Sequence, residues 1–142
     1  MGTIAVRECM STDVSPVRPD TSLVEAAQLM RSSGVGGVLV LDREGEGCVG
    51  ILTERDIVVR VLAEGREPRA VFVRDVATMD PVTCTPEEDV ETATSRMREY
   101  EVQHLPVCLA GKVVGMISLA DIVFGRPDEE RGTIVPPRAM SR

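Results

Sequence analysis

Two stretches of this chain, GILTERDIV (Gly50–Val58) and GMISLADIV (Gly115–Val123), share one order: Gly, two apolar residues, a hydroxyl residue, two others, Asp, Ile, Val. A duplication restricts the fold more than any other feature. Whatever one copy forms the other must also form, and each can bury what its partner leaves exposed. The repeat extends well upstream. VRECM (Val6–Met10) aligns with VRDVA (Val73–Ala77) at an offset of 67 residues. At that offset Pro19 meets Pro86, Ala26 meets Ala93, Met30 meets Met97, Arg31 meets Arg98, Val35 meets Val102 and Val40 meets Val107. After the turns DREGEG and LAGK the offset falls to 65. A turn is where a length change disturbs least. The repeat therefore divides the chain into units at 3–66 and 67–125, joined through EGREPRAVF, with a tail at 126–142.

Each unit has the same local signals. VSPVRP and PVTCTP are short, proline-bounded and rich in β-formers. TSLVEAAQLMRSSG places Leu23, Ala26, Ala27 and Met30 on one helical face. Its copy uses Val90, Ala93, Met97 and Tyr100. GVLVL and HLPVCL are apolar strands, and CVGIL and VVGMI complete hairpins with them. Thr53 and Ser118 then open second helices, the first ending at Gly65. The order is β-α-β-β-α, twice. A sheet of three short strands cannot cover both its faces, so an α+β fold of two pseudo-symmetric repeats packed through their small sheets is expected.

Composition removes several function classes. The net charge is −7 and aromatic residues make up 2% of the chain, which argues against a nucleic-acid partner or an anionic membrane surface. No apolar run is long enough to cross a membrane, and the N-terminus shows no signal-peptide pattern. Cys9, Cys48, Cys84 and Cys108 form no close pair, and His104 is the single histidine, so no metal site is expected. The cysteines read as small hydrophobes in a reducing cytoplasm.

The paired hydroxyl and carboxylate admit two readings. At a helix start, Thr53 with Asp56 and Ser118 with Asp121 form capping boxes with Asp in place of Glu. The same atoms suit a nucleotide, because a carboxylate accepts both hydroxyls of a ribose and a helix N-terminus favours phosphate.

The element order, the two hh(T/S)xxDhh endings and the HLPV strand resemble tandem CBS domains, named after cystathionine β-synthase. The resemblance covers residues 3–125 and is similar in scale to small stand-alone bacterial CBS-pair proteins. It implies a regulatory module that senses adenosine-containing ligands in inter-domain clefts and signals to a separate protein. AMP, ADP or ATP are the expected ligands, and S-adenosylmethionine and NAD(H) also fit. It implies that Asp56 and Asp121 read ribose hydroxyls, with Thr53 and Ser118 near phosphates. It further implies that an adenine lies against Pro16, Val17, Val38 and Leu39 in copy one. Val82, Leu105, Pro106 and Val107 are the corresponding residues in copy two. A homodimer built through the helices is the family expectation, and Val58, Val59, Val61 and Leu62 cover more of a helix than one core face needs.

The copies also differ. Arg55, between hydroxyl and acid, has Ala120 as its counterpart, and Arg55 could add a phosphate contact. Copy one has Leu39 where copy two has Pro106, preceded by two glycines. His104 adjoins the second cleft. No nucleophile–base pair or glycine-rich phosphate loop is present, so no enzyme activity is expected. The alternative to a sensor is a structural or interaction protein whose clefts are vestigial. The tail reads as a flexible or partner-binding extension.

Overall fold

A computed structural model describes residues 3–12, 15–45 and 47–125. The tail at 126–142, including the extension anticipated there, lies outside the described residues. Copy one contributes α1 (Leu23–Ser33), β1 (Gly37–Leu41), β2 (Cys48–Thr53) and α2 (Glu54–Ile57), which continues as a π-helical turn over Val58–Leu62. A short segment follows with α3 (Val73–Val76) and β3 (Thr78–Met79). Copy two adds α4 (Val90–Tyr100), β4 (His104–Leu109), β5 (Lys112–Ser118) and α5 (Leu119–Phe124).

The helix ends follow capping chemistry. Ser22 accepts from the Glu25 amide at 3.1 Å, and Asp89 accepts from the Thr92 amide at 2.8 Å. α1 closes on Gly34 at φ 69°, where a left-handed conformation suits glycine. The equivalent residue of α4 is Glu101, held at φ 58°. Tyr100, expected on the buried face, is exposed because it is the last helical residue before that reversal.

The hairpins β1–β2 and β4–β5 are antiparallel, with bulges at equivalent points, Val40/Leu41 and Val107/Cys108. Among the described residues, the proline-bounded stretches before α1 and α4 each pair at one residue, Val17 with Val40 and Cys84 with Val107. Flanking prolines have no N–H to extend those ladders.

Each hairpin is extended by a segment of the other copy's sequence, as a third strand in copy one and as a single bridge in copy two. β3 pairs with β2 through Gly50–Met79 and Ile51–Thr78. Its equivalent, Ser11, pairs with Met116 of β5. These crossings explain the glycine that opens each repeated motif. A Cβ on Gly50 would lie 2.9 Å from Met79 Sδ and 3.0 Å from the Thr78 carbonyl oxygen. On Gly115 it would lie 2.7 Å from the Ser11 carbonyl oxygen.

The cores are exchanged in the same way. Val71, Val73, Val76 and Ala77 pack with Val17, Leu23, Ala26, Val38, Leu52 and Val61 of copy one. Val6 and Met10 pack with Cys84, Ala93, Met97, Leu105, Val107 and Ile117 of copy two. The packing units thus cut across the repeat boundaries at 66/67. A third cluster, Leu39, Leu41, Ile51 and Met116, lies between the two sheets. β1 is buried on both faces, with Val38 and Val40 toward the helices and Leu39 and Leu41 toward the other sheet. The fold is α+β, two pseudo-symmetric halves joined through their sheets and their exchanged ends.

Candidate functional site

β2 and β5 end on the hydroxyl residues, and a helix starts at the next position in both copies. In copy one the Thr53 amide donates to Asp56 Oδ2 at 2.9 Å, and Thr53 Oγ1 donates to the same oxygen at 3.1 Å. The Asp56 amide donates back to Thr53 Oγ1 at 3.2 Å. In copy two the Ser118 amide donates to Asp121 Oδ2, and the Asp121 amide donates to Ser118 Oγ, both at 3.0 Å. Both capping boxes are therefore formed.

The two carboxylates stand in different surroundings. Asp56 is buried, at 8% exposure, and Arg60 Nε lies 3.8 Å from its Oδ1. Arg60 also donates to the Val76 carbonyl at 3.1 Å, tying α2 to the exchanged segment. Asp121 is half-buried, and Gly125 stands where copy one has Arg60. Asp121 commits one oxygen to the Ser118 amide.

A second difference lies where β1 and β4 begin. Gly37 pairs with Thr53, and His104 pairs with Ser118. Gly36 and Gly37 are the equivalents of Gln103 and His104, and Glu54 is the equivalent of Leu119. The Glu54 amide donates to the Gly36 carbonyl at 3.0 Å, and the Leu119 amide to the Gln103 carbonyl at 2.9 Å. Above the glycines sit a Glu54 carboxylate oxygen, 3.4 Å from a Cβ built on Gly36, and the His104 ring, 3.2 Å from one on Gly37. Burial pulls the His104 pKa below its ordinary value, while Asp121, Glu54 and Asp56 oppose that fall. Acids from both copies thus act on a single imidazole.

The residues expected to line the base are placed differently in the two copies. Val17 and Val38 belong to the buried helix–sheet core of copy one, with Val17 also at the floor of an open groove, and Leu105 and Val107 belong to that of copy two. Leu39 fills the layer between the sheets, and Pro106 is fully buried. Val82 is half-buried against the second core, and Pro16 is exposed. Arg55 is exposed on α2. What the fold gathers is Thr53, Asp56, Ser118, Asp121 and His104, together with Gly36, Gly37 and Glu54. Gly36, Gly37 and Glu54 carry no assigned role in the sequence pattern alone. The available signal was the pairwise mismatch of Gly-Gly against Gln-His and of Glu against Leu.

Open grooves flank α1. One runs past Leu23, Ala27, Arg31, Ile57 and Pro68, and the other past Pro16, Val17, Arg18, Thr21, Leu29 and Arg31. Neither includes Thr53 or Asp56. In copy two the positions of Thr21 and Leu29 are Glu88 and Arg96, which form a two-bond ion pair at 2.9 Å, with Arg96 also donating to the Thr83 carbonyl at 3.0 Å. That pair lowers the Glu88 pKa. None of the four cysteines is joined in a disulfide. Burial pushes Cys48 up to about 11 and Cys84 up to about 12, which suits packing better than nucleophilic chemistry. Among the described residues no cluster of three or more His, Cys, Asp or Glu is placed to hold a metal ion. No helix among them is long and apolar enough to cross a membrane.

A duplicated α+β unit with a hydroxyl–carboxylate capping box in each copy defines a class of tandem-repeat module. The chain belongs to the CBS-domain family: residues 6–63 and 73–126 each match a CBS domain. CBS pairs are regulatory modules. The chain is 31% identical to the CBS domain-containing protein YhcV of Bacillus subtilis over 127 residues, covering 89% of this chain and 88% of that one. It is also 31% identical to the uncharacterized protein MK0525 of Methanopyrus kandleri over 128 residues, covering 89% of this chain. It spans 65% of the length of MK0525. Among solved structures, the hexameric CBS-CP12 protein from bloom-forming cyanobacteria superposes with a TM-score of 0.81 at 28% identity, over 89% of this chain and 70% of that one.

Proposed function

We propose that this chain is a nucleotide-responsive regulatory module. It binds an adenosine-containing ligand, with AMP, ADP or ATP preferred, and passes the signal to a separate protein. Ser118 and Asp121 form the principal site. The observation that carries this reading is the unequal commitment of the two acids. Asp121 is half-buried with one oxygen engaged by the Ser118 amide, whereas Asp56 is buried beneath Arg60. A ribose diol needs an acceptor that can be reached, and Asp121 answers that requirement better. His104 beside it supplies a titratable contact for an anionic ligand. CBSX2, a protein of the same fold at 24% identity, has been crystallised with AMP. That likeness concerns the fold, so the ligand assignment here stands on the residues.

Ligand at the junction of two halves acts by favouring one relative arrangement over another, in proportion to its differential affinity for them. The effector surface is a homodimer joined through its helices. Val58, Val59 and Leu62 on one helix and Val123 and Phe124 on its equivalent are all more than two-fifths exposed, which is an apolar surface suited to a second copy. A purely structural role for the module is the rival reading, and the completed capping boxes favour it.

A thermal-shift titration of nucleotide-stripped protein with AMP, ADP, ATP, S-adenosylmethionine and NADH separates the two. Ligand at about 100 times its dissociation constant adds roughly 2.7 kcal/mol per site, several degrees for a domain of this size. A rise that Asp121→Ala removes supports the sensor. A folded protein that responds to none of the five supports the structural role.

A further inference from the structure

Gly37 and His104 are equivalent positions in the repeat, and the fold brings them into contact. A Cβ on Gly37 would stand 3.2 Å from His104 Cδ2, 3.3 Å from Cγ and 3.4 Å from Nε2. Two equivalent residues therefore meet near the pseudo-two-fold axis, where the space admits one large side chain. Copy two supplies the imidazole, and copy one supplies the notch. The charged groups that act on the ring through the field are Asp121 from α5 and Glu54 and Asp56 from α2. Glu54 lies over Gly36, one residue from the notch. The imidazole thus stands against Gly37 and within the field of the acids of both capping boxes.

We infer that His104 is a proton-operated latch between the two halves: neutral, it fills the Gly37 notch and holds the junction closed; protonated, it moves toward the carboxylates and the junction loosens. A charged imidazolium is poorly solvated where the neutral ring fits, and the surrounding acids give it an alternative position. This device operates whether or not the junction takes a nucleotide. The folded-state pKa of His104 lies below its ordinary value because burial outweighs the carboxylates. The unfolded chain then binds the proton more readily than the folded one. Stability is retained above about pH 6.5 and falls as the pH drops below it, levelling off under the folded pKa.

His104 is the only histidine, so its ring-proton resonance needs no assignment strategy. The test is a nuclear magnetic resonance titration of the full chain from about pH 8 to about pH 5, following the His104 ring proton and the amides of Gly36, Gly37 and Glu54. The latch predicts a midpoint below about 6.5, with the glycine amides moving at the same midpoint. Gly37→Ala narrows the notch and shifts the midpoint toward 6.5. Thermal stability declines below about pH 6.5 in the wild type and stays level in His104→Gln. A midpoint at or above 6.5, glycine amides that ignore it, or the same decline in His104→Gln would overturn the latch. If His104→Gln does not fold, the wild-type titration and Gly37→Ala decide the matter.

Discussion

At the end of its second strand copy one has Thr53-Glu54-Arg55-Asp56, and copy two has Ser118-Leu119-Ala120-Asp121. The hydroxyl and the acid are kept, and they make the same capping bonds in both halves. The residues between them are charged in one copy and apolar in the other. The same division runs through the molecule. Gly50 and Gly115 both admit an exchanged strand. Thr21 and Leu29, by contrast, line an open groove, while Glu88 and Arg96 at the equivalent positions form an ion pair. Backbone requirements are shared, and charge distribution is where the halves have separated. A site that depends on charge is therefore unequal in the two halves even though its scaffold is duplicated.

The largest effects test whether the scaffold is symmetric. Leu52 and Ile117 occupy equivalent places in the two cores, and both are fully buried. Leu52→Ala and Ile117→Ala are each expected to lower stability by about 2–5 kcal/mol in urea denaturation. A large loss at one and little at the other would show that only one core is tightly packed.

Next come the glycines at the strand crossings. Gly50→Ala and Gly115→Ala are expected to destabilise by about 1–3 kcal/mol through overpacking. The larger loss is expected at Gly115, because the Ser11 carbonyl oxygen would stand 2.7 Å from the added Cβ, against 3.0 Å for the Thr78 carbonyl oxygen at Gly50. Hydrogen exchange should locate the loosening at Ser11 for Gly115→Ala and at Thr78 for Gly50→Ala.

The carboxylates sharpen the contrast. Asp56→Asn removes a buried negative charge and puts an amide donor in place of one carboxylate oxygen beside Arg60, so a loss of about 1–3 kcal/mol is expected. Asp121→Asn should give about 1 kcal/mol or less, since fewer bonds depend on it. The order of the two melting temperatures is the check. Smallest is the change at the helix ends. Glu101→Gly relieves a left-handed residue and should add up to about 1 kcal/mol, whereas Gly34→Ala should lose a similar amount.

Much of this architecture could be read from the chain. The repeat, its helices, its hairpins and the α+β class follow from periodic apolar positions and matched glycines. The capping boxes were legible because Thr-x-x-Asp states its local geometry. Strand exchange was not, since nothing in Val6–Met10 says which sheet it will join. Burial of Val17, Val38, Leu105 and Val107 escaped notice for a similar reason. A short apolar strand does not disclose whether its side chains face a core or a cleft. The meeting of Gly37 with His104 requires two residues 67 positions apart to face each other across a symmetry axis, and only the folded chain shows that.

The central claim is that the half-buried acid, not the buried one, serves the ligand. Calorimetric titration of AMP into nucleotide-stripped wild type, Asp56→Asn and Asp121→Asn addresses it most directly, with both variants first shown to be folded. Binding retained in Asp56→Asn and lost at least tenfold in Asp121→Asn is the predicted result, equivalent to about 1.4 kcal/mol or more. Loss in Asp56→Asn with Asp121→Asn unaffected would contradict the account.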